Sequence, residues 1–324
     1  MTSLLLTGVG CGLATTVTAG LLLPVLRHRL DVPNHRSSHT VPTPRGGGLA
    51  LVVGTVVTAV LVALTGDAWP ADTWVLLGAS LVLALVGLLD DVRGLPPVPR
   101  LLAQVVVGAA AGFVVGGALG LVVGALVVPA AVNMVNFMDG INGICAAHAV
   151  VGGVGALLAG QALGSAPLSV LGALTSGAAL GFLPWNAPRA RMFLGDVGSY
   201  LLGGLAGLSV TAGLSAGADA WRPEVIGCLA APYLLFAADT ATTLVRRRRR
   251  GEPLLEAHRE HAYQRLVHGH GLPHWVVSFA MAAAAAVVVG AFLGGWLPGL
   301  VASAVAVVGF LVVAPRVVPR AVAS

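Results

Sequence analysis

The chain has no lysine and few acids: 13 Asp and Glu among 324 residues. Even with arginine counted, charged residues make up 10% of the sequence, too few to clothe a soluble protein of this length. All 18 basic residues are arginine, a bias we attribute to genomic composition rather than mechanism. Cysteine is equally scarce. Cys11, Cys145 and Cys228 stand in separate apolar stretches without metal-ligand spacing, so neither a disulfide framework nor a zinc centre is indicated, and they read as small packing residues. No internal repeat of the kind that builds many transporters is visible, and no polar stretch is long enough for a soluble domain.

What remains is apolar. Hydrophobic residues make up 57% of the chain and mean hydropathy is +0.91, the range of polytopic membrane proteins. Runs long enough to span, or nearly so, fall at 3–26, 47–65, 73–89, 101–117, 119–137, 144–163, 168–185, 198–216, 224–245, 275–294 and 296–313. The expectation is an all-α polytopic helix bundle of about eleven transmembrane helices, or ten if the fourth and fifth merge, since only Gly116, Gly117 and Gly120 punctuate them. The whole chain, 1–324, reads as one transmembrane domain. Glycine, at 44 residues, suits close helix packing in lipid.

Charge order sets orientation. The first run lacks a basic segment before it and is followed by Arg27 and Arg29, which favours a retained first span with its N-terminus outside over a cleaved signal peptide. Loops 27–46, 90–100, 138–143, 186–197 and 246–274 and the tail after 313 then face the cytoplasm. That face holds every arginine except Arg222, as positive-inside topology requires. The net charge of +5 therefore reports topology and not a nucleic-acid surface.

Five polar stretches interrupt the apolar pattern, all on that face. Asn133 to Gly143 (NMVNFMDGING) places Asn133, Asn136 and Asp139 at i, i+3 and i+6, roughly one helical face; interhelical hydrogen bonding is the bland alternative, and the density of polar groups counts against it. Asp90 and Asp91 end the third span beside Arg93 and Arg100, where paired carboxylates bind a hard cation or share acid–base work, or simply solvate a helix end. Gly46, Gly47 and Gly48 enter the second span, where backbone amides could approach an anion or merely turn a corner. Asp196 opens the eighth span between glycines, as an N-cap or as a carboxylate offered to a metal-bound diphosphate. His258, His261 and Gln264 recur every three residues beside Arg259 and Arg265, a donor face suited to phosphates but a weak zinc pattern. Each is ambiguous alone. Together they put chemistry on one membrane face, as a lipid-modifying enzyme requires. A secondary transporter, the reading from another class, needs polar groups near the midplane, and Asp239 alone lies inside a span. The arginines at 246–250 read as a topology anchor and anionic-lipid contact.

With PRGGG (44–48), LLDD (88–91), NFMDGINGI (136–144), FLGDVGS (193–199) and HREHAYQRL (258–266) in this order, the chain resembles the polyprenyl-phosphate N-acetylhexosamine-1-phosphate transferase superfamily. It looks more like the O-antigen-initiating branch than the peptidoglycan branch, phospho-N-acetylmuramoyl-pentapeptide transferase, which is the alternative. The resemblance implies attack of a polyprenyl phosphate, undecaprenyl or decaprenyl, on the β-phosphate of a UDP-N-acetylsugar, with release of UMP. It implies a multi-pass enzyme of the bacterial inner membrane, possible as a homodimer, that uses Mg²⁺ or alternatively Mn²⁺ and no nucleic acid. Asp196 would ligate the metal, Asp90 and Asp91 would orient or deprotonate the lipid phosphate, and Asp139 would belong to the catalytic centre. Arg45, Gly47, Arg100, Asn133, Asn136, Asn142, His258 and His261 would bind substrate. One departure stands out: Asn142 occupies a position where relatives commonly carry Asp. The uncharged amide suits a uracil or sugar contact, so Asn142→Asp is expected to change donor selectivity in a kinetic comparison of UDP-sugars.

Overall fold

The computed structural model describes residues 2–33, 38–65, 69–253 and 260–314. In lipid, every backbone amide of an apolar run must find its partner within the run, so these runs become helices. They are α1 (Thr2–Leu26), α2 (Gly48–Leu64), α3 (Ala71–Arg93), α4 (Pro97–Met138), α5 (Ile144–Leu163), α6 (Ala166–Asn186), α7 (Gly195–Leu214), α8 (Pro223–Ala230), α9 (Leu234–Arg249), α10 (Ala262–His270), α11 (His274–Leu293) and α12 (Trp296–Val313). A two-stranded antiparallel ribbon, β1 (Leu30–Asp31) and β2 (Thr43–Pro44), ties the first polar loop together.

Among the described residues, nine helices are long and apolar enough to cross a membrane. Two details reconcile that number with the sequence. α2, at 17 residues, is a shorter apolar helix, about 25 Å long at 1.5 Å per residue. α4 is 42 residues long and loses helical geometry at Gly116 and Gly117, the latter at φ +57°, a conformation L side chains resist. Beyond the break the chain doubles back. A Cβ on Gly112 would sit 2.1 Å from the Gly120 carbonyl oxygen, and one on Gly108 would sit 2.3 Å from that of Gly124. The glycine pairs thus let two antiparallel halves touch backbone to backbone, the contact that binds helices where lipid weakens hydrophobic attraction. With α2 and the two halves of α4 each counted as a pass, the described residues offer eleven apolar segments. The ninth is broken at a 3-10 turn, Ala231–Tyr233, which contains Pro232; proline supplies no amide to the helical ladder. The membrane bundle is all-α, as its sequence predicts.

α7 is the axis of the bundle, with 16 of its 20 residues buried, packed mainly against α3 and α4. α12 is peripheral, only 6% of its apolar window being buried. Because successive passes reverse direction, the C-termini of α3 and α4 and the N-termini of α2 and α7 meet at one end of the bundle. There α10, a short helix outside the spans, packs against the end of α9.

Candidate active site

The site is assembled where PRGGG meets FLGD. Phe193 N donates to the Pro44 carbonyl at 2.7 Å, Gly47 N to that of Phe193 at 2.8 Å, and Gly48 N to that of Leu194 at 2.8 Å. Arg45 and Phe193 form a parallel bridge. The amides of Gly47 and Gly48 are therefore spent on the neighbouring loop and do not face an anion, contrary to the expectation for Gly47. Their small size serves packing instead: a Cβ on Gly48 would lie 2.3 Å from Gly198 Cα.

This pairing delivers Arg45 into a carboxylate pair. Its guanidinium reaches Asp91 Oδ1 at 2.8 Å and Asp196 Oδ2 at 3.2 Å. Burial alone would lower the Arg45 guanidinium, but Asp196 and Asp91 outweigh it and hold the group above its ordinary value. Asp91 is fixed from its other oxygen, which accepts Val197 N at 2.9 Å, so the end of α3 caps the first turn of α7. Asp196 is fixed by Asn136, whose amide donates to its Oδ1 at 2.9 Å and to Ser199 Oγ at 3.0 Å.

A cleft of about 400 Å³ opens over these groups. Arg45, Asn136, Asp139, Asn142 and Asp196, all expected from the sequence, line it. So do Asp31, Ser38, His39, Asn186, Phe193, Gln264 and His274. Asp139 opens partly into the cleft, and burial together with the neighbouring Asp196 pushes its carboxyl up to about 7. It is thus poised to exchange a proton near neutrality. A smaller cleft of about 230 Å³, lined by Leu26, Leu49, Leu88, Val92 and Asp91, shares Arg45 and Asp31 with the first. A larger cavity, about 730 Å³, lies at the opposite end of the bundle and is lined by no charged side chain.

Other expected residues sit elsewhere. Asp90 turns away: Oδ1 accepts Leu95 N at 2.8 Å, and Oδ2 accepts Arg100 and, at 3.3 Å, the Tyr200 hydroxyl. Arg100 is engaged there and does not line the cleft. Asn133 lies within the α4 hairpin, donating to Gln104 Oε1 at 2.6 Å and to the Pro129 carbonyl at 2.7 Å. His261 is buried against Asp239, with Nδ1 at 3.1 Å from Oδ1. His258 lies outside the described residues.

The Asp239 contact explains how the histidine loop reaches the site. Fully buried, Asp239 accepts Ala262 N at 2.8 Å, Tyr263 N at 3.0 Å and Thr243 Oγ1 at 3.1 Å. It anchors the N-terminus of α10 as a capping carboxylate supplied by another helix. α10 then carries Gln264 to the cleft wall, and the Tyr263 hydroxyl donates to the Phe137 carbonyl at 3.3 Å. Asn186 performs the matching task for the other loops, accepting Gly143 N at 2.7 Å and donating to the Met192 carbonyl at 3.0 Å. Asn186 and His274 carry no motif signal. An amide at the end of an apolar span and a histidine after Pro273 at the start of another were the only hints.

Residues 73–213 match the family model described as glycosyl transferase family 4. The chain is 27% identical over 310 residues to the decaprenyl-phosphate N-acetylglucosaminephosphotransferase of Mycobacterium leprae (strain TN), covering 82% of this chain and 78% of that protein. The protein of the same name from Mycobacterium tuberculosis (strain ATCC 25618 / H37Rv) is 28% identical over 74% of this chain and 69% of its own length. A phospho-N-acetylmuramoyl-pentapeptide-transferase from Oceanobacillus iheyensis is 28% identical over 65% of this chain and 76% of its own.

Proposed function

Since the chain belongs to the polyprenyl-phosphate hexosamine-1-phosphate transferase superfamily, we propose that it transfers a phospho-N-acetylsugar from a UDP-sugar to a polyprenyl phosphate. The products are polyprenyl-diphospho-sugar and UMP, and the step begins a cell-envelope polysaccharide. Transfer of a sugar phosphate to polyprenyl phosphate is the coarse activity that the relatives' names support. UDP-N-acetylglucosamine is the donor we favour, on the strength of the relatives named for N-acetylglucosamine phosphate. The observation that carries the reading is the convergence of Arg45, Asp91 and Asp196 where two adjoining clefts meet at the ends of the spans, a place where a lipid phosphate and a water-soluble donor can come together.

The roles follow from the geometry. Arg45 offers a fixed cation to the donor's diphosphate. The acceptor's phosphate oxygen attacks the β-phosphorus while the bond to the UMP oxygen breaks. We favour this direct displacement over a covalent aspartyl intermediate, because a phosphate needs little activation once charge repulsion is offset. Asp139 takes or holds a proton beside the reacting groups, and Asn136 keeps Asp196 aimed. Asn142, whose side-chain amide donates to the Pro188 carbonyl at 3.3 Å, is placed at the cleft wall for a donor contact.

The residues also fit a hard cation. Asp91 and Asp196 already converge on one positive group, and Asp91 Oδ1, buried, makes an ion pair but no well-aligned hydrogen bond. Among the described residues no three acidic, histidine or cysteine side chains cluster as a metal cage, so substrate phosphates would complete the coordination, as is usual for Mg²⁺. Bound there, such a cation supplies charge neutralisation on the transferring phosphates.

The orientation we propose puts the cleft on the cytoplasmic side of the bacterial inner membrane. The test is an in vitro assay of purified protein with polyprenyl phosphate, Mg²⁺ and a panel of UDP-sugars, scored by UMP release. Release with UDP-N-acetylglucosamine supports the proposal; folded protein that releases UMP from no donor refutes it.

A further inference from the structure

A second cationic site lies on the far side of α10 from the cleft. α10 presents Gln264 to the active site and Arg265 to the membrane-facing flank, where α9 and α12 also end. There a cleft of about 420 Å³ is walled by apolar groups of α9 and by Leu311 of α12, and rimmed by Arg246, Arg249 and Arg265.

Among the described residues, no ion pair neutralises the charges on this rim. The nearby acids among the described residues are engaged elsewhere: Glu252 lies 3.1 Å from Arg247 and 2.9 Å from Arg250, and Glu260 pairs with the same two arginines. Among the described residues, no carboxylate comes within ion-pairing distance of Arg246, Arg249 or Arg265. Among the described residues, Arg246 donates to neutral oxygens, the Thr242 carbonyl and Thr243 Oγ1, each at 3.1 Å. Arg265 Nε is buried and has no hydrogen-bond partner. Burial and the adjacent Arg246 pull the Arg265 guanidinium below its ordinary value, outweighing the opposing influence of Asp239 and Glu260. Three cations crowded around an apolar cleft are unfavourable without an anion, and the lipid-facing position decides what kind of anion can reach them. Val245, on the cleft wall, is itself 48% exposed, so an acyl chain can lie along the wall while its headgroup meets the arginines.

We propose that this cleft binds the phosphate headgroup of an anionic membrane phospholipid, with Arg246, Arg249 and Arg265 as its donors and an acyl chain along α9 and α12. The site is separate from the catalytic cleft and does not depend on the reaction assigned to it. Bound lipid would hold α10 against α9 from outside, while Asp239 holds it from within.

The test uses the full-length protein in nanodiscs of phosphatidylcholine with and without phosphatidylglycerol. Lipid retained in native mass spectrometry and the melting temperature are the readouts. Wild type should retain phosphatidylglycerol and melt higher in its presence. R246Q/R265Q should weaken retention by about tenfold or more, given the attraction each basic residue contributes at an anionic surface, and should lose the melting response. R27Q/R248Q, which removes two charges from exposed positions on the same face, should keep both. L311W fills the cleft without altering charge and should lose retention too, so the proposal can be tested even if the double glutamine variant does not fold. Equal behaviour of the cleft and control variants, or retention of polyprenyl phosphate but not phosphatidylglycerol by wild type, overturns it.

Discussion

At the scale of single residues, the site is defined by which carboxylates remain available. Asp90 and Asp91 are adjacent in sequence yet have different tasks. Asp90 has both oxygens engaged by Leu95 N, Arg100 and Tyr200, whereas Asp91 keeps one oxygen beside Arg45. Asp196→Ala is expected to lower kcat about 10²–10³-fold in the UMP-release assay, the range for removing one preorganised electrostatic group. Retained Mg²⁺-dependent turnover would count against its role. Asp139 carries a pH signature. Its carboxyl binds a proton more tightly in the folded chain, at about 7, than at the ordinary 3.8. Its contribution to stability is therefore best below about 4 and declines as pH rises to about 7, because the unfolded chain ionises first. Melting of the metal-free protein at pH 5 and pH 8 should show this slope, and Asp139→Asn should flatten it. Two residue readings did not come from the motifs alone. Asn133 and Asn136 look equivalent on a helical wheel, but Asn133 meets Gln104 across the α4 hairpin while Asn136 meets Asp196. Only the facing helix distinguishes them.

At the scale of elements, short segments are held by groups far away in sequence. α10 is nine residues long, too short to be stable alone, and rests on Asp239. Asp239→Ala leaves two amides and the His261 imidazole without their acceptor. We expect a loss on the order of 2–4 kcal/mol, and faster hydrogen exchange confined at first to residues 260–270. Gln264 should leave the cleft wall in the same variant, so KM for the donor should rise. The junction of α2 with α7 is equally exacting. Gly48→Ala puts a methyl group 2.3 Å from Gly198 Cα, and overpacking of this kind costs about 1–3 kcal/mol. Thermal melting should register it as a loss without any change in charge.

At the scale of the whole molecule, the arrangement separates chemistry from span. Asp91, Asp139 and Asp196 all lie at the ends of helices, and the one acid buried inside a span among the described residues, Asp239, is fully occupied by α10 and Thr243. That argues for catalysis at a membrane boundary over ion-coupled transport, which needs available polar groups at the midplane. Topology is testable directly. In a background with Cys11, Cys145 and Cys228 replaced, a cysteine at Arg93 should be labelled only from the cytoplasmic side and one at Asp219 only from outside. The reverse pattern would invert the proposed orientation.

The sequence by itself determined the all-α membrane fold, a count of about eleven apolar segments and the end of the bundle where the polar groups gather. Those features follow from local quantities: the length of an apolar run against the thickness of a bilayer, and the side on which arginine accumulates. Motifs also pointed to Arg45, Asn136, Asp139, Asn142 and Asp196 in the cleft. Tertiary structure decided which members of each motif face it. It turned the Gly47 and Gly48 amides toward the Phe193 and Leu194 carbonyls, drew Asp90 and Arg100 behind the site, seated His261 on Asp239, and brought in Asn186, Gln264 and His274. The physical reason is that a polar side chain beside lipid must find a partner wherever packing brings one. Spacing along one helix carries no information about what the neighbouring helix will offer.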